Sequence, residues 1–146
     1  MRKLTRRHLL AALPLGCALP ASSQPPGGDD TALRRAMEAL TAAIPKAEAD
    51  PERPVYHFRP PANWTNDPNG TIFYKGWHHL FYQLNPYGSL WANMHWGHAR
   101  SRDLVNWEHL PIALWPSGKE ETAIFSGGAI LAADGRPRLF YTSIGR

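Results

Sequence analysis

The sequence predicts an all-β fold preceded by one short helix, and three observations carry the prediction. All six Trp and all five Tyr of the 146 residues fall between Tyr56 and Tyr141, and these residue types pack well on a pleated surface. The same stretch breaks into apolar runs of four to eight residues separated by Gly, Pro, Asn and Asp, which is strand length with turn punctuation. Four runs in close succession are followed by two more, the rhythm of one β-propeller blade and the start of another, or of a sandwich.

The elements follow in chain order. Residues 1–23 combine Arg2, Lys3, Arg6 and Arg7 with an apolar run from Leu9 to Leu19 and then small residues, the pattern of a secretory signal. Adjacent Arg6 and Arg7 resemble a bacterial twin-arginine export signal, so the expected location is periplasmic or extracellular. The run is too short to span a bilayer as a stable helix, and no membrane span is expected. Gly16-Cys17 gives lipidation at Cys17 as a weaker reading. Four of the sixteen basic residues and none of the twelve acidic ones lie in this segment, leaving twelve against twelve from Gln24 onward. The pI near 9.5 is therefore mostly the leader's, and the mature chain has no basic excess to attract nucleic acid. Cys17 is the only cysteine, so a processed chain holds neither disulfide nor thiolate.

Residues 24–54 read as a linker, "QPPGGDD", and one amphipathic helix. Leu33, Met37, Leu40 and Ile44 recur at helical spacing, Asp29, Asp30 and Thr31 suit its N-terminus, and Pro45 marks its expected end. From residue 55 the strands are "GTIFY", "WHHLFYQL", "HWGHAR" and "WEHL", joined at Lys75-Gly76, by a longer loop from Asn85 to Met94, and by "SRDLVN". "FSGGAIL" and "RLFYTS" flank "AADG" as a hairpin.

Chemistry concentrates in "NWTNDPNG", residues 63–70, where Asp67 sits between two asparagines. Pro68 holds Asp67 extended and Gly70 permits positive φ, so the segment reads as a tight turn that aims its side chains. In the plainest alternative Asn66, Asp67 and Asn69 cap their own backbone as Asx-turns. His78, His79, His95 and His98 match no common metal-ligand spacing on strands, and packing or hydrogen bonding is expected of them. The sequons at Asn63 and Asn69 read as accidental, and Asp103 as the residue that closes the 101–106 turn.

Together "WTNDPNG", "FYQLNP", "WANMHWGHARSRDLVNWEHLPIAL" and "IFSGGA", in this order, resemble glycoside hydrolase family 32, the β-fructofuranosidases, over residues near 58 to 146. The resemblance implies a five-bladed β-propeller, of which residues 55–146 supply the first blade and part of the second. It implies a sucrose or fructan substrate, no cofactor and no metal. Asp67 matches the nucleophile of a retaining mechanism. Asn66 and Gln83 match residues that bind the fructosyl unit, Trp91 the aromatic at the mouth of the site, and Phe125 and Ser126 the pair that opens the second blade. Thr65 stands where Met is usual, Leu84 where Tyr is common and Gly128 where Ser or Thr is frequent; Thr65, beside Asp67, is the departure expected to alter the pocket.

Retention requires a second carboxyl group about 5–5.5 Å from the first. The family's Glu-Cys acid and its Arg-Asp-Pro motif do not occur here, and five blades of roughly 40 to 50 residues exceed the chain. The expectation is an N-terminal fragment of a longer hydrolase, inactive and poorly stable alone. Two other readings are a secreted carbohydrate-binding chain without catalysis and the related inverting arabinanase or xylosidase propellers, against which the full "NDPNG", "FYQ" and "FSGG" set argues.

Overall fold

The computed structural model describes residues 30–117 and 120–145. The expected signal with Cys17, and the linker before Asp30, lie outside them. One helix, α1 (Asp30–Glu48), precedes six strands: β1 (Trp64–Tyr74), β2 (Trp77–Asn85), β3 (His95–Ser101), β4 (Trp107–Leu114), β5 (Glu121–Leu131) and β6 (Pro137–Gly145). Strands β1 to β4 form one antiparallel sheet in sequence order, and β5–β6 a second. This is the architecture of one propeller blade and half of the next.

Helix α1 exceeds its expected end, because Pro45 lies inside it and the helix continues to Glu48. Pro45 has no N–H to give to the Thr41 carbonyl; the helix is carried past it by Ile44 and Ala47, which pack against the core, and by the Ala49 N–H, which donates to the Pro45 carbonyl at 3.1 Å. The apolar face of α1 packs Ala36 and Leu40, with Leu33, Met37 and Ile44, against Leu80, Tyr82, Leu84, Ala99 and Ile112 of the large sheet. The opposite sheet face places Phe81 and Trp96 against Ile124 of β5. The large sheet is thus covered by the helix on one side and by β5–β6 on the other. Arg53 ties the lead-in of β1 together, donating to the carbonyls of Pro60 and Pro61 at 2.7 and 2.8 Å and lying 3.3 Å from Glu48.

Strand β1 departs further from expectation. It begins at Trp64 instead of Gly70, so "NDPNG" belongs to the strand and is no isolated turn. The pairing with β2 breaks register twice, between Thr65 and Pro68 and between Asn69 and Ile72. At each break two residues of β1 face one of β2, which is a β-bulge. Gly70, at φ +49°, lets the second bulge form, and a Cβ there would also crowd Phe81 and Trp96 at 3.2 and 3.4 Å.

The 101–106 turn is built as expected. Asp103 Oδ1 accepts from the N–H groups of Val105 and Asn106 at 2.9 and 2.7 Å, and Ser101 Oγ accepts from Leu104 N–H at 2.8 Å. These donors hold the Asp103 carboxyl well below the usual carboxylate range, the Asn106 N–H contributing most. Among the described residues no helix is long and apolar enough to cross a membrane.

Candidate active site

Two bulges face each other across the sheets. Asn66 and Asp67 are the extra pair in β1 opposite Gln83 of β2. On β5 the register breaks between Phe125 and Gly127, which makes Ser126 the extra residue of that strand. A bulge re-aims a side chain that a regular ladder would hold on one face or the other. Ser126 and Asp67 are thereby brought into contact although 59 residues separate them.

The contacts run as a relay. Gln83 Nε2 donates to Ser126 Oγ at 3.4 Å, and Ser126 Oγ donates to Asp67 Oδ2 at 2.7 Å. A hydroxyl that gives its only proton to a carboxylate can only accept from the amide, which fixes the Gln83 orientation with Nε2 toward the serine. Gln83 is 3% exposed, and its Oε1 has no partner among the described residues. Beside the relay, Asn69 Oδ1 accepts from the Gly127 N–H at 3.2 Å. Asn69 and Asp67 thus bond across to β5, in place of the Asx-turn caps that the local sequence allowed. Asp67 itself is exposed, so a ligand in solvent can reach it.

Of the sequence-predicted site residues, Asp67, Gln83 and Ser126 are joined directly. Phe125 presents its ring edge-on to Trp91, with centroids 6.0 Å apart at 78°, and its carbonyl accepts from Trp96 Nε1 at 3.1 Å. Trp91 is 62% exposed on the loop between β2 and β3. That leaves an indole face available for stacking. Asn66 is exposed beside Asp67 and takes no part in the relay.

Three residues outside the predicted site set contribute to it. Thr65 donates through Oγ1 to the Gln83 carbonyl at 2.8 Å. Asn85 is buried and organises the Trp91 loop: Nδ2 donates to the Leu90 carbonyl at 2.8 Å, and Oδ1 accepts from Tyr87 N–H at 3.0 Å. His95 lies 2.6 Å through Nδ1 from the Asn93 carbonyl, which can only accept, so that nitrogen carries the proton. Burial lowers the His95 pKa despite this bond. An Asn followed by Pro at a strand end was the available signal for Asn85. Thr65 was marked only by its departure from the family pattern, without a role.

Among the described residues no group of three or more His, Cys, Asp or Glu side chains is placed to hold a metal ion. His79 Nδ1 and His98 Nε2 instead lie 3.0 Å apart as a hydrogen-bonded pair. Of the sequon asparagines, Asn63 donates to the Pro86 carbonyl at 2.8 Å and Asn69 is buried. Of the other acids after Asp67, Asp103 closes its turn, Glu108 bonds to Arg100 at 2.8 Å, Asp134 to Arg138 at 2.7 Å and Glu121 to Ser117 N–H at 3.2 Å, while Glu120 is exposed.

Comparison with known proteins adds the following. The sequence profile of the glycosyl hydrolases family 32 N-terminal domain matches residues 57–146. A maize protein, "Beta-fructofuranosidase, cell wall isozyme", is 45% identical over 122 residues, which is 82% of this chain and 21% of the relative. The levanase of Bacillus subtilis strain 168 is 62% identical over 79 residues, 54% of this chain and 11% of the levanase. Among solved structures, a GH32 β-fructofuranosidase of the silkworm Bombyx mori matches with a TM-score of 0.68 at 49% identity, covering 79% of this chain and 24% of that one. Fructan 1-exohydrolase IIa of Cichorium intybus matches with a TM-score of 0.57 at 46% identity, covering 60% of this chain and 17% of that one. The chain thus spans about a fifth of the maize enzyme's length.

Proposed function

The chain belongs to glycoside hydrolase family 32, and from that membership we propose that it serves hydrolysis of the β-fructofuranosidic bonds of sucrose or a fructan, with Asp67 as the nucleophile. The observation that carries the proposal is the Gln83–Ser126–Asp67 relay, which holds one exposed carboxylate at the meeting of two bulges. Asp67 attacks the anomeric carbon of the fructosyl unit, the glycosidic oxygen leaves with a proton from a second carboxyl group, and water then hydrolyses the fructosyl ester with net retention. Asn66 and Gln83 offer amide groups to fructosyl hydroxyls, and Trp91 offers an indole face to the C–H side of the sugar. An aspartate-to-alanine variant of the silkworm enzyme has been solved with sucrose, and a variant of the chicory exohydrolase with 1-kestose. Both fit the substrate class.

The second carboxyl group comes from a part of the propeller other than residues 57–146, where the Glu-Cys motif of the family's acid does not occur and Asp103, Glu108, Glu121 and Asp134 are bonded elsewhere. Catalysis accordingly belongs to a complete ring. The resemblance of residues 1–23 to a twin-arginine signal supports export, with the reaction outside the cytoplasm.

The test joins residues 57–146 to the remaining domains of the Bacillus subtilis levanase. The chimaera hydrolyses sucrose or levan, and Asp67→Ala lowers its turnover by about four orders of magnitude. Acid quenching of a slow substrate leaves a fructosyl ester on the Asp67 peptide, read by mass spectrometry. Undiminished turnover in Asp67→Ala, or an ester on a different carboxylate, removes the proposal.

A second reading is favoured by one observation, the gathering of Gln83, Ser126 and Asp67 without a second carboxyl group: the 146-residue chain alone binds a fructosyl unit without cleaving it. Calorimetry with fructose and inulin decides it, and an absence of heat from folded chain excludes it.

A further inference from the structure

We propose that Thr65, through its hydroxyl, is a positioning residue for Asp67; the inference rests on the fructosidase reading above. The argument begins at the interrupted ladder. Trp64 pairs with Asn85 and Thr65 with Leu84, and pairing resumes only at Pro68 and Tyr82. Between those points Asn66 and Asp67 oppose Gln83 alone, and Pro68 has no N–H to give to the sheet. A carboxylate on such a segment has no ladder bond to fix it.

Thr65 supplies the missing bond from its side chain. Its Oγ1 donates to the main-chain carbonyl of Gln83 at 2.8 Å. The same Gln83 directs its side-chain amide to Ser126 Oγ, and Ser126 directs its hydroxyl to Asp67 Oδ2. Thr65, Asn66 and Asp67 are consecutive, so the three hydrogen bonds and the intervening chain form one closed ring. The ring spans β1, β2 and β5. Without the Thr65 hydroxyl it opens at the point nearest the bulge, and the spacing between Asp67 and Gln83 is no longer set from both ends. A valine keeps the shape of threonine and removes only the bond, whereas a serine keeps the bond and removes a methyl group.

Two measurements test this. In the 146-residue chain, 13C-labelled at its aspartate carboxyl groups, Thr65→Val shifts the Asp67 carboxyl resonance and Thr65→Ser leaves it in place. In the levanase chimaera, Thr65→Val lowers kcat for sucrose about tenfold to a hundredfold with KM changed less than about threefold, as expected for a nucleophile displaced by a fraction of an ångström. Thr65→Ser returns kcat to within about threefold of the parent. An Asp67 resonance or a kcat unmoved by Thr65→Val overturns the inference, and so does a serine variant that falls as far as the valine. Asp67→Ala in the same chimaera separates the two failures. If it stays active, the fructosidase reading fails and takes Thr65 with it. If it is dead while Thr65→Val is silent, only the role of Thr65 is lost.

Discussion

Ser126 links Gln83 to Asp67 through a single hydroxyl. Its hydroxyl faces Asp67 because β5 carries one residue too many between Phe125 and Gly127. Gly127 is needed beside it, since a Cβ there would fall 1.9 Å from the Phe140 carbonyl oxygen. Ser126→Ala removes the proton given to Asp67 and the acceptor used by Gln83. The expected outcome is a loss of about tenfold or more in the chimaera's kcat with a stability cost of about 0.5–1.5 kcal/mol, measured by steady-state kinetics and urea unfolding. Asn69 works differently, because its amide is buried and satisfies the Gly127 N–H. Asn69→Ala leaves that N–H without its partner and is expected to cost about 1–3 kcal/mol in unfolding free energy, more than the serine change.

The elements differ in what holds them. Helix α1 is retained by side-chain burial, with Leu40 only 6% exposed against the sheet. Leu40→Ala is expected to destabilise the chain by about 2–5 kcal/mol, read as a lower urea midpoint with unchanged m-value. The pairing of β2 with β3 carries instead a pH dependence. His98 stacks on Phe81 at 4.3 Å and faces His79 and Arg100. Burial first, then the charges of His79 and Arg100, push its pKa down to about 4. The unfolded chain takes up that proton near the ordinary histidine value of about 6.5, so between about pH 6.5 and 4 acid favours the unfolded state. Stability from this pair is complete above about pH 6.5 and declines as pH falls toward 4. Melting temperatures measured from pH 7 to 4 should show the decline, and His98→Gln should flatten it; an unaltered slope in that variant assigns the acid sensitivity to other groups.

At the scale of the whole molecule, the described residues cover the second sheet on one side only. Ile130 and Phe140 alternate onto the side of β5–β6 away from the first sheet and are 53% and 57% exposed. Among the described residues β6 pairs only with β5, so an open strand edge lies beside exposed apolar side chains. Such an edge templates association. The 146-residue chain is expected to self-associate with rising concentration in light scattering, and Phe140→Lys to suppress this; a monomer at all concentrations contradicts the expectation. Much of this architecture was legible beforehand. Short apolar runs and turn residues located all six strands and the hairpin at "AADG", and helical spacing located α1. Its passage through Pro45 was hidden, because the packing of Ile44 and Ala47 that offsets the bond lost there is a tertiary contact. So was the true start of β1, because a bulged strand carrying Pro and Gly has the composition of a turn. Residue types and short spacings located the strands and the helix without all their ends, and four motifs carried the family resemblance that singles out Asp67. Only the tertiary structure decided that Asp67 meets Ser126 across two bulges and that Thr65 bonds to Gln83. Bulges and cross-sheet contacts depend on register between distant strands, and register is fixed by which faces are buried together, a property no local stretch of residues contains.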